Sequence, residues 1–258
     1  MSTATTARPA DPPVPSPTRT DVRRPTGWLL IGTTVVNVAA VAMLSTVFAW
    51  PGVLDEGAAV ALPAFAAEQT WIVSAFYAFA LASILLVPIS LGLHRIVDPT
   101  GSRAPLLAPT VTAAGILTGV FQVLGWIRWP LTVPGLADAY LDPAATDAQR
   151  TATASSYDLV NAYAGGALGE HLGWLFQAAW GLGIAVLLLR TRATSRVLAV
   201  TGAVLTVAWS VPFLLADAVP AAGAGLLGTA GFTAYALWFA WNAALGIALL
   251  RARRSVLA

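Results

Sequence analysis

Six long apolar blocks constrain this chain more than anything else. They occupy about 27–50, 71–94, 105–127, 164–189, 197–218 and 224–250. At 1.5 Å per residue each is long enough, as a helix, to cross a hydrocarbon layer of ~30 Å. Inside that layer every backbone N–H and C=O must find a partner within the protein, which leaves helices as the way to span it. The expected fold is therefore all-α: a polytopic integral membrane protein built as a six-helix transmembrane bundle. Composition agrees, with 57% hydrophobic residues and only 10% charged, against about 25% charged in soluble domains.

The arginines orient the bundle. The chain has no lysine, so its fourteen basic residues are all arginine. With both termini in the cytoplasm, the inner segments hold Arg8, Arg19, Arg23, Arg24, Arg95, Arg103, Arg190, Arg192, Arg196, Arg251, Arg253 and Arg254. Only Arg128 and Arg150 remain outside. An inward excess of arginine is what fixes topology, so both termini are expected in the cytoplasm, with a bacterial plasma membrane as the site. Residues 1–26, rich in Pro, Thr, Ser and Ala, read as a disordered cytoplasmic tail ahead of a membrane domain over 27–254. The Arg23-Arg24 pair before an apolar run resembles a twin-arginine export signal. The run is too long for a signal core, and Pro25-Thr26-Gly27 fits that motif poorly.

The two outer connections differ. Residues 51–70 read as a short acidic loop. Residues 128–163 read as a longer exoplasmic loop in which Pro130 and Pro134 break any helix continuing from the third block. Beyond them Thr146 or Asp147 is placed to cap a helix running without interruption into the fourth span, one element from about 146 to 190.

The chemistry concentrates in "ALGEHLGW", residues 167–174, where Glu170 and His171 open the fourth span. A carboxylate at that depth is costly unless it is paired or faces water. Arg128, between Trp126 and Trp129 at the same end of the third span, is its natural partner, since arginine binds carboxylates bidentately and stacks on indoles. Arg128 alone also fits an interfacial residue snorkelling among belt tryptophans. His171 points roughly 100° away from Glu170 around the helix, so the two are not a one-turn metal pair. His94, the other histidine, lies at the opposite end of the second span, where it reads as a headgroup contact. With no cysteine either, no metal site and no cofactor are expected.

Gly165, Gly169 and Gly173 recur at four-residue spacing, a small-residue face for close helix approach. Trp174 and Gln177 follow Glu170 at helical spacing. Gln122, Asn37 and Asn242 add amides inside other spans, and Asp217 stands near the outer end of the fifth. No "GxSxG", phosphate loop or paired-aspartate signature is present, so no catalytic residue is assigned and a non-enzymatic role is favoured. The basic charge is not gathered on a soluble domain, so no nucleic-acid partner is expected. The lipid bilayer is the expected partner.

"GEHLGW", Trp180 six residues beyond it and the preceding "IRWPLTVPGLADAY" (127–140) together resemble the bacterial multi-pass family termed domain of unknown function 4386. The resemblance implies a six-helix bacterial membrane protein and carries no activity with it. From the residues, the candidate polar site is Arg128, Glu170, His171, Gln177 and Gln122. The leading reading is a notch between spans three and four, on the exoplasmic side. There it would bind a small polar ligand or lipid headgroup, as a sensor or transporter-like subunit. The alternatives are a purely structural Arg128–Glu170 lock and, third, a membrane enzyme of lipid metabolism.

Overall fold

A computed structural model describes residues 21–216 and 228–252. Asp217 therefore lies outside the described residues. Among those that are described, the structure is helical with no strand. Six helices are long and apolar enough to cross a membrane: Arg23–Val47, Gln69–Val97, Leu107–Leu141, Asp147–Thr191, Arg196–Leu215 and Gly228–Arg251. They match the six apolar blocks.

The first span is α1 (Arg23–Val47). The second is two helices in line, α3 (Gln69–Ile84) and α4 (Leu86–Val97). The third is α5 (Leu107–Trp126), prolonged by the short helices α6 (Arg128–Leu131) and α7 (Val133–Leu141). α8 (Asp147–Val160) leads through a π-helical stretch, Asn161–Leu172, into α9 (Gly173–Thr191). α10 (Arg196–Ala216) and α11 (Gly228–Arg251) complete the bundle.

Each span packs against its neighbours in sequence. α1 meets α3 and α4, these meet α5, α5 meets the π-helical stretch and α9, α9 meets α10, α10 meets α11, and α11 returns to α1. The result is a closed ring of six helices. Outward faces stay apolar: Val200, Val204, Val207, Val211 and Leu215 form an exposed stripe along α10. An apolar stripe of that length on a free surface marks a lipid-facing helix.

The two outer connections contain more helix than their sequences suggest. Within 51–70 lies α2 (Ala58–Ala67), whose Ala58, Ala61, Leu62 and Phe65 are buried. Its apolar side completes a core with Phe48, Phe76, Trp129, Val133 and Tyr157, roofing one end of the ring. Pro130 and Pro134 step the third helix without ending it, because each falls in the first turn of a new short helix. There the missing N–H is an orphan in any case. The long element expected from about 146 does run unbroken, over Asp147–Thr191. Thr146 is its cap: Gln149 N donates to Thr146 Oγ1 (3.3 Å) and Thr146 N donates to Gln149 Oε1 (2.8 Å), a reciprocal box.

The opposite end carries Arg95, Arg103, Arg190, Arg192, Arg196 and Arg251 and is filled by a second core, including Leu93, Val111, Ile184, Leu188 and Leu249. His94 is half-buried there, with Nδ1 2.9 Å from Thr112 Oγ1. Asp98 closes the turn after α4. Burial acts to raise the pKa of its carboxyl. The backbone amides of Arg103, Ala104 and Ser102, with the charge of His94, outweigh burial and hold it below its ordinary value.

Candidate functional site

The glycine stripe sets the geometry. A Cβ on Gly169 would lie 2.8 Å from Gly125 Cα, so the backbones of α5 and the π-helical stretch touch. On either side of this crossing glycine makes room for a polar side chain. A Cβ on Gly165 would lie 2.5 Å from Arg128 Nη2, and one on Gly173 would lie 3.1 Å from Gln122 Cγ. The four-residue glycine repeat thus faces α5 and its extension, as a small-residue face should.

Arg128 is sealed in protein, with only 4% of its surface exposed. Nη1 donates to Gly125 O (2.6 Å) and Nη2 to Asn161 Oδ1 (3.0 Å). Asn161 Nδ2 donates onward to Leu54 O (3.1 Å), which ties the third and fourth spans to the first outer connection. The guanidinium carbon stands 5.3 Å from the centre of the Trp129 ring, within cation–π range. Trp129 stacks in turn on Phe76 (4.9 Å, 7°). Glu170 acts on Arg128 through its charge.

Inside the ring lies a cavity of about 350 Å³. All six spans contribute to its wall, and Trp50, Pro51, Gly52 and Leu54 border it between the first and second. One hydrogen-bonded chain crosses four helices along this wall. Ser83 Oγ on α3 shares its hydrogen between Phe79 O (2.8 Å) and Gln122 Oε1 on α5 (3.3 Å). Gln122 Nε2 donates to Gln177 Oε1 on α9 (2.8 Å), and Tyr235 OH on α11 donates to the same oxygen (3.2 Å). Thr33, Thr34, Asn37, Asn242 and Glu170 are further polar lining residues. Asn37 and Asn242 each donate to a carbonyl four residues back, Thr33 O and Trp238 O. The indole N–H of Trp50, another lining residue, is buried with no acceptor among the described residues.

The family model for "Domain of unknown function (DUF4386)" matches residues 26–251. The chain belongs to the DUF4386 family. No curated protein and no solved structure matches it.

This DUF4386 chain divides the expected site in three. Gln122, Gln177 and Glu170 line the cavity together. Arg128 is not among the lining residues and is packed beside them, with Asn161 as its hydrogen-bond partner. His171 is exposed on another face of the helix and does not line the cavity. Contributors not singled out in the sequence include Asn161, Ser83, Tyr235 and the Trp50–Leu54 segment. The last three sit in or beside apolar blocks, where neither charge nor periodicity sets them apart. Asn161 stands just ahead of the fourth block, and a lone amide at that position gives no sign of its partner.

The lining holds one carboxylate, Glu170, and no Cys, His, Lys or Arg among the described residues. Its hydroxyls at Thr33, Thr34 and Ser83 donate to backbone carbonyls of their own helices. A nucleophile needs an adjacent base with a suitable pKa, and this wall supplies amides and aromatic rings in its place.

Proposed function

We propose that this is a bacterial plasma-membrane protein that holds a small molecule with a polar head in the cavity of its helical ring. Both termini lie in the cytoplasm, a topology supported by the sequence, which assigns twelve of the fourteen arginines to the inner segments. The observation that carries the binding reading is the cavity itself. At about 350 Å³ it falls within the 300–1,000 Å³ typical of ligand sites, and like them it is mostly apolar with a few convergent polar groups. Its amide chain and Glu170 suit a polar ligand or lipid headgroup, as in a sensor or a transporter-like subunit.

The test is the content of the purified protein. Wild type and the cavity-filling variant Ala82→Phe, at a buried lining position, are extracted into native lipid discs and their small molecules compared by mass spectrometry. A species retained by wild type and depleted from Ala82→Phe is expected. Identical contents in the two would refute the proposal.

A structural reading applies to Arg128, and its two hydrogen bonds to Gly125 O and Asn161 Oδ1 favour it. Arg128 holds spans three and four together at the edge of the cavity, while Glu170 and the two glutamines serve the ligand.

A further inference from the structure

We propose that the occupant of the ring cavity is an uncharged planar ring that bears a carbonyl oxygen. This rests on the reading that the cavity holds a ligand, and it names the chemistry of that ligand. A pattern repeated on four helices leads to it. On α3, α5, α9 and α11 one member of the hydrogen-bonded chain lines the cavity: Ser83, Gln122, Gln177 and Tyr235. One turn nearer the roofed end, each of those helices adds an aromatic residue to the same lining: Phe79, Trp126, Trp174 and Phe232. The rings form two packed groups. Trp126 stacks on Phe79 (5.0 Å, 28°), while Trp174 meets Phe213 (4.6 Å), which in turn meets Phe232 (4.9 Å). The cavity is thus an aromatic collar over a belt of amides. A flat ring gains most from such a collar, because aromatic side chains favour offset stacking and edge contacts with another ring.

The belt sets the polar group of the ligand. Gln177 Oε1 already accepts from Gln122 Nε2 and Tyr235 OH, which fills both of its lone pairs. What that amide can turn toward a guest is its Nε2. Gln122 Nε2 carries two hydrogens and commits one of them to Gln177. The indole N–H of Trp50, another lining residue, has no acceptor among the described residues. These groups are donors, and their complement is an acceptor such as a carbonyl oxygen. Charge balance favours an uncharged ligand. Glu170 is the one charged lining residue among those described, and the guanidinium of Arg128 behind the wall acts on it through charge. The other polar lining side chains are neutral hydroxyls and amides. An ion entering the cavity would therefore lose its water with no net opposite charge to receive it.

The test uses planar probes of similar size: 9-fluorenone, fluorene, which has a methylene in place of the carbonyl, and the charged rings 9-oxofluorene-2-carboxylate and N-methylacridinium. Each is titrated by calorimetry against the full chain in phosphatidylcholine nanodiscs, with empty nanodiscs as the reference for partition into lipid. Wild type is expected to bind fluorenone at least about tenfold more tightly than any of the other three. The double variant Gln122→Leu with Gln177→Leu should remove the preference over fluorene while leaving the affinity for fluorene itself unchanged. Trp174→Leu should weaken both neutral rings, and Ala82→Phe should bind neither. Equal binding of fluorenone and fluorene by wild type overturns the carbonyl-ring inference, as does tighter binding of either charged ring. A fluorenone preference that survives the double variant, or fluorenone binding that survives Ala82→Phe, overturns it as well. If the double variant does not fold, the order of the four probes on wild type decides together with Ala82→Phe. Failure of all four probes to bind wild type also overturns the inference. The ligand reading falls separately, when wild type and Ala82→Phe retain identical molecules.

Discussion

Two polar regions lie a few residues apart along one pair of helices and end differently. At Arg128 the protein supplies much of the environment itself: Gly165 opens a niche, Asn161 and Gly125 O accept hydrogen bonds from the two terminal nitrogens, and Trp129 covers the guanidinium, while Nε has no acceptor among the described residues. At Gln122, on the other side of the Gly125–Gly169 crossing, Gly173 admits the side chain, but the amide chain it starts runs along the wall of a cavity. On the reading proposed above, the charge boxed in by protein partners fixes helices, while the amides beside unfilled space serve a guest.

The largest effect that would break this contrast is at Arg128. Arg128→Met removes two hydrogen bonds from a charged donor, each worth about 1.5–3 kcal/mol. A loss of roughly 3 kcal/mol or more in thermal unfolding is expected, while whatever protein remains folded keeps its cavity ligand. Ligand loss without destabilisation would reverse the roles assigned to the two regions. Gly169→Ala comes next, because its methyl meets backbone at Gly125. Overpacking of this kind costs about 1–3 kcal/mol. Its control is Gly166→Ala, whose methyl would meet open space. That change should be neutral or stabilising, by up to about 1 kcal/mol.

Gln177→Leu sharpens the other side of the comparison. It removes the oxygen shared by Gln122 and Tyr235, at about 1 kcal/mol, less than Arg128→Met because the groups left behind border a cavity that can admit water. Ligand retention should fall more than stability does. Thr146→Ala lies outside both regions and should leave ligand retention unchanged. It costs about 1 kcal/mol through the lost cap, and amide exchange should show the change confined to the first turn of α8.

Much of the site was legible. Glu170, Trp174 and Gln177, read at helical spacing as one side of the fourth span, do line the cavity together, and His171, placed some 100° away, does not. The glycine repeat was read as a close-approach face and touches α5 as such. The Arg128 environment was harder to read. The guanidinium was expected opposite Glu170, with which it does interact through charge, but the acceptors of its hydrogen bonds, Gly125 O and Asn161 at the start of the π-helical stretch, were not foreseen. Counting at 3.6 residues per turn assumes an α-helix, and a π-helical stretch turns its side chains through different angles. Ser83 and Tyr235 escaped for another reason. A span that is apolar all round has no preferred face in its sequence, so which of its occasional hydroxyls point inward is decided by neighbours.

The sequence by itself determined that six apolar helices cross a bilayer, because length and the need to satisfy backbone hydrogen bonds within each helix are local properties. It likewise determined the glycine face and narrowed the cap to Thr146 or Asp147, between which the structure chose Thr146. Only the tertiary structure decided that the six spans close into a ring around a cavity, that Arg128 is buried outside the cavity wall while Glu170 borders it, and that α2 and α7 roof one end. Those outcomes depend on which faces meet, and in a chain that is apolar on nearly every face the pairing is set by packing between distant helices.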